Sequence, residues 1–160
     1  MLDRLLPGIE HLQNPHPLFV HYPIALLTAA TFFYVIAWIR RSDALATAAF
    51  WMLVAGTVMA AVTAGTGLYA EEGVMLARDV RAKLLDPHKT LMFITGGLAV
   101  AACAWAIVQR PFPRRVRPLF VLLLLVMVAT MLKGADYGGR MVYDYNGGGS
   151  ACGQPIEFTK

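Results

Sequence analysis

The chain has 160 residues, of which 58% are hydrophobic and only 15% charged, with a net charge of +4. A water-soluble domain of that composition would lack polar surface, and so small a charge gives no reason to expect nucleic acid as a partner. The expectation is a single integral membrane domain over residues 1–160, with the lipid bilayer as its surroundings.

At the start, Leu2, Leu5, Leu6, Ile9 and Leu12 recur at helical spacing with Asp3, Arg4 and Glu10 between them. That pattern predicts a short amphipathic helix lying in the membrane interface. Its charges interrupt any apolar core of the kind a signal peptide needs, so the first span is expected to direct insertion. Apolar stretches then cover residues 18–39, 45–70, 88–109 and 116–133, each close to the ~20 residues a helix needs to cross a bilayer. The fold class they predict is all-α: a four-helix transmembrane up-down bundle with short interfacial helices and a Gly/Tyr-rich C-terminal tail.

The connections differ in charge. Arg40, Arg41, Arg110, Arg114, Arg115 and Arg117 face a single acid, Asp43, across the first and third turns. The positive-inside rule places those turns in the cytoplasm, which makes the chain a multi-pass protein of the bacterial inner membrane with both termini periplasmic. In the second connection, Leu76, Val80 and Leu84 form one stripe among charged residues and predict another interfacial helix. It should end at Asp86-Pro87, an N-cap followed by the proline favoured at the first helical position. After Lys133 the glycines multiply, with Tyr137, Tyr143 and Tyr145 among them. This reads as an irregular cap over the outer end of the bundle, with at most a short strand around Met141–Tyr145. No internal repeat stands out. Cys103 and Cys152 should lie at different depths and form no bridge.

All the polar chemistry gathers at one face. Asn14-Pro15-His16-Pro17-Leu18-Phe19-Val20-His21-Tyr22-Pro23 opens the first span with two histidines, and Asp86-Pro87-His88 opens the third. These spans run in the same direction, so His21 and His88 share one depth and can converge across an up-down bundle. Imidazole ligates iron, copper and zinc, and an ionisable group on an intramembrane helix face is costly without a partner. Near the same depth, Thr63-Ala64-Gly65-Thr66-Gly67 removes bulk from the second span, which favours a flat macrocycle between helices over a bare ion. Ordinary helix packing also uses such residues. His21 and His88 are thus the candidate metal ligands and axial pair of a haem b. Gly65 and Gly67 are candidate clearance for its ring, His16 is a candidate ligand or propionate donor, and Arg140 a candidate propionate partner. His11 reads as a solvated interfacial residue.

The run His16-Pro17-Leu-Phe-Val-His21-Tyr-Pro23, the single His88, and the tail Gly134-Ala-Asp-Tyr-Gly138-Gly139-Arg-Met-Val-Tyr143 resemble the signatures of a family of four-helix bacterial membrane proteins known only as a domain of unknown function. The resemblance covers nearly the whole chain, with His16, His21, His88, Gly138, Gly139 and Tyr143 as matching positions. Related domains are sometimes joined to c-type cytochrome modules, which implies electron transfer at the outer face.

The function expected is that of a small b-type cytochrome carrying electrons between the quinone pool and a periplasmic partner, such as a cytochrome or a larger membrane complex, through a bis-His haem near the outer face. Two alternatives stand beside it: a non-catalytic anchor subunit of a larger complex, and a copper or zinc site built from His16, His21 and His88. A stand-alone enzyme is less expected than either kind of subunit. No nucleophile has a base at readable spacing, and neither a phosphate-binding glycine loop nor a zincin motif occurs.

Overall fold

A computed structural model describes residues 14–73, 76–113 and 117–145. The amphipathic segment Met1–Leu12, His11 and Cys152 lie outside them. Among the described residues every regular element is helical: α1 (His16–Phe19), α2 (His21–Arg40), α3 (Asp43–Glu71), α4 (Arg78–Val80), a π-helical turn (Arg81–Leu85), α5 (Asp86–Val108) and α6 (Arg117–Tyr143). Four helical stretches, His16–Arg40, Asp43–Glu71, Arg78–Val108 and Arg117–Tyr143, are long and apolar enough to cross a membrane.

The first reversal is tight because each helix end is satisfied locally. Arg41 takes a left-handed conformation with φ 53, which lets the Ser42 N–H reach the Ala37 carbonyl at 3.0 Å and closes α2. Ser42 then turns extended, and its hydroxyl accepts the Leu45 N–H at 3.3 Å to open α3, with Asp43 in the first turn.

The second connection differs from the expected one. Asp86 does not cap a new helix: α4, the π turn and α5 run on as one stretch, with the Asp86 N–H donating to the Arg81 carbonyl five residues back. Pro87 explains the π turn. It has no N–H to donate and its ring would crowd the carbonyl of Lys83, so widening the preceding turn accommodates it without ending the helix. The fourth span departs too. Up to Tyr143 helix stands where an irregular tail and strand were expected, because α6 continues through Gly134, Gly138 and Gly139, and the tail beyond residue 145 lies outside the described residues.

In cross-section, α2 packs on α3 and α6, and α5 packs on the same two, so the first and third spans stand diagonally. The core is uneven along its length. Toward the Arg-rich turns, Tyr34 is fully buried with its ring 5.0 Å from Phe120 and 5.1 Å from Phe112, while Trp105 meets Phe120 at 5.6 Å. Aromatic edges meeting faces fill that end densely. The Tyr34 hydroxyl donates to the Pro111 carbonyl at 3.0 Å. Midway, α2 and α3 approach closely at Gly56, where a Cβ would stand 2.8 Å from Leu27 Cδ2. Toward the opposite end the contacts pass to glycine, threonine and histidine. Outside, Phe32, Ile39, Trp51, Val58, Leu119 and Leu122 are exposed, the apolar coat that lipid covers.

Candidate functional site

His16 opens α1 directly after Pro15, and the Asn14 side chain accepts its backbone N–H at 3.1 Å. From there the half-buried ring reaches α3. The Thr66 hydroxyl donates to the Thr63 carbonyl at 3.0 Å, so it can only accept from His16, whose Nδ1 lies 3.2 Å away. The Nδ1 atom therefore carries the proton. Beneath the ring is Gly67, where a Cβ would come within 3.0 Å of His16 Cε1.

His88 sits in the first turn of α5, behind Pro87, and its ring reaches α6. Its Nδ1–H donates to the Gly134 carbonyl at 2.8 Å. A carbonyl only accepts, which again fixes the proton on Nδ1. Gly138 lies under this ring, its Cβ position 3.1 Å from His88 Cε1. Both rings stand at the same end of the bundle, His16 opening the first span and His88 in the first turn of α5.

His21, expected opposite His88, is exposed on α2, with its Nδ1–H donating to the Pro17 carbonyl at 2.9 Å. Of the three histidines, His16 and His88 thus reach across to a neighbouring span, whereas His21 bonds back to Pro17. Of the two candidate glycines, Gly67 seats an imidazole, whereas a Cβ at Gly65 would meet nothing within 4 Å. Arg140 is half exposed on α6, its Nε 3.5 Å from Asp144. Lys133 pairs with Asp136 at 3.3 Å and lies over the Tyr137 ring.

Three contacts escaped the sequence reading: the Thr66 relay, the bond to the Gly134 carbonyl, and the ion pairs of Glu71 with Arg81 and, at 2.6 Å, with Lys89 beside His88. A signal existed for the first two. Asn14-Pro15-His16 and Asp86-Pro87-His88 are near copies, and each histidine meets a glycine late in the next span.

Chemically, the arrangement offers two imidazoles, each with Nδ1 engaged and Nε2 left for a ligand. A hydrogen bond from the ring nitrogen opposite the ligating one fixes the tautomer and raises the basicity of the ligating nitrogen. Among the described residues no three His, Cys, Asp or Glu side chains gather as a metal site would need. A family model described as "Predicted membrane protein (DUF2231)" matches residues 13–151. No curated protein and no solved structure matches the chain.

Proposed function

The chain belongs to this DUF2231 family of predicted membrane proteins, and we propose that it is a small b-type cytochrome, holding one haem between His16 and His88 and passing electrons between the quinone pool and a periplasmic partner. The observation that carries the reading is two imidazoles at one end of diagonal spans, each with Nδ1 engaged by a neighbouring span. A zinc or copper ion held by protein alone asks for three or four ligands, whereas a porphyrin brings four nitrogens of its own and asks for two. Two gathered histidines therefore favour haem over a bare ion.

When bound, haem supplies one-electron transfer. The protein's part is to hold and orient. Thr66 and the Gly134 carbonyl fix the tautomers, Gly67 and Gly138 let each ring lie against a helix backbone, and the dense aromatic end keeps the four spans from collapsing inward. Arg140, at the outer end of α6, is the cation within this reading for a propionate.

The test is an oxidised-minus-reduced spectrum of protein purified in mild detergent from haem-replete cells. The wild type should show a Soret band with the sharp α band of low-spin haem. His16→Ala and His88→Ala should each abolish the six-coordinate spectrum, and His21→Ala should keep it. A wild-type protein without any Soret band would overturn the reading in favour of an anchor subunit. Loss of the low-spin spectrum in His21→Ala with retention in His16→Ala would move the ligand to His21.

A further inference from the structure

The same local arrangement occurs twice in this chain. In the first hairpin, α1 to α3, His16 follows Asn14-Pro15 and lies over Gly67; in the second, α5 to α6, His88 follows Asp86-Pro87 and lies over Gly138. The two contacts agree atom by atom. A Cβ at Gly67 would meet Cε1, Nδ1 and Nε2 at 3.0, 3.3 and 3.6 Å, and one at Gly138 would meet the same atoms at 3.1, 3.2 and 4.0 Å.

The carbonyl four residues before each glycine anchors the ring: Gly134 accepts the His88 Nδ1–H directly, and Thr63 accepts the Thr66 hydroxyl that His16 Nδ1 bonds. Those same two positions pack on the third residue after each histidine. The Thr63 hydroxyl donates to the Phe19 carbonyl at 3.1 Å, and the Cβ position of Gly134 stands 3.1 Å from Leu91 Cβ. From His16 to His88 and from Phe19 to Leu91 is one step along the chain; from Thr63 to Gly134 and from Gly67 to Gly138 is a step one residue shorter. Positions i and i+4 lie one above the other on a helix, so carbonyl and glycine form one cradle for one ring.

We propose that the chain is a tandem of two equivalent imidazole-holding hairpins, in which Gly67 and Gly138 are positioning residues that aim both Nε2 atoms at one shared centre. The inference rests on the reading of His16 and His88 as the axial pair, and it adds that the two ligands are held alike by matching parts. The mechanism is steric. A Cβ at either glycine comes within 3.0–3.1 Å of an imidazole carbon, so the ring must turn about its anchored Nδ1 and carry Nε2 off line.

The experiment compares Gly67→Ala, Gly138→Ala and the double variant with Gly96→Ala and Gly97→Ala, where an added Cβ meets nothing within 4 Å. Alanine favours helix over glycine, so all five should fold. In haem-loaded protein, the low-spin electron paramagnetic resonance signal and the midpoint potential should shift in the same direction in both cradle variants. The double variant should show roughly their sum, and the two controls should match wild type. In haem-free protein labelled with ¹⁵N-histidine, Gly67→Ala should move the imidazole resonances of His16 alone, and Gly138→Ala those of His88 alone. Cradle variants that behave like Gly97→Ala in both measurements would overturn the proposal, as would a response confined to one hairpin. If the wild type binds no haem, the cytochrome reading fails and the ¹⁵N comparison alone decides whether the cradles position the rings.

Discussion

Individual side chains divide between those whose role follows from their own chemistry and those whose role depends on what they meet. Tyr34 is of the second kind. Nothing in its apolar surroundings in sequence marks it, yet it is fully buried and its hydroxyl donates to the Pro111 carbonyl, tying α2 to the turn before α6. Tyr34→Phe keeps the ring contacts and leaves that carbonyl without its donor, so the expected loss is about 1–2 kcal/mol of stability. Unfolding in mixed detergent micelles measures it; an unchanged midpoint would show that water satisfies the carbonyl instead. The histidines divide in the same way. His16, His21 and His88 were all visible as candidates, but their order of importance was not, because α1 ends at Phe19 and α2 starts at His21, and the direction each ring takes depends on that junction. His16 meets α3, while His21 folds back on its own Pro17 carbonyl.

At the level of elements, glycine is where sequence and packing pull apart. A glycine inside a helix costs about 1 kcal/mol relative to alanine, which is why a segment holding Gly134, Gly138 and Gly139 reads as an irregular tail. In the structure it is helix, because close approach at Gly134 and Gly138 lets Leu91, Met92 and His88 pack directly on the α6 backbone. Gly56 shows the same trade without any histidine. Gly56→Ala would set a Cβ 2.8 Å from Leu27 Cδ2 and 3.1 Å from Leu26 Cβ, and overpacking of this kind costs roughly 1–3 kcal/mol. Gly97→Ala, with open space around its Cβ, should instead leave stability unchanged or raise it by up to about 1 kcal/mol. Detergent unfolding of the two variants side by side checks the contrast. Equal midpoints would mean that α2 and α3 separate freely at Gly56.

For the molecule as a whole, the two ends of the bundle are built differently. One end, beside the Arg-rich turns, is closed by interlocked aromatic rings, with Arg110 over Phe50 and Arg117 over Phe112. The other carries His16, His88 and the Glu71–Lys89 pair, held by glycine and threonine contacts. The charge bias predicts that the aromatic end faces the cytoplasm. With Cys152 replaced by serine, a maleimide that cannot cross the membrane should label Glu72→Cys in intact cells and spare Gln109→Cys. The reverse pattern would place the histidine end in the cytoplasm and remove any periplasmic redox partner.

The sequence by itself determined the membrane class, the four spans and the end at which the histidines lie, because hydropathy over ~20 residues and residue type are local properties that a bilayer reads directly. It also held both Asn/Asp-Pro-His motifs, although their kinship becomes evident only once each ring is seen against its glycine. Tertiary structure decided the rest: that His16 reaches α3 while His21 bonds back to Pro17, that Asp86 lies within a continuous helix, and that α6 runs on past Lys133. Each of those outcomes turns on contacts between helices distant in sequence. There a carbonyl, a hydroxyl or the missing Cβ of a glycine on one span sets the direction of a side chain on another, and local propensity is outweighed by the packing it permits.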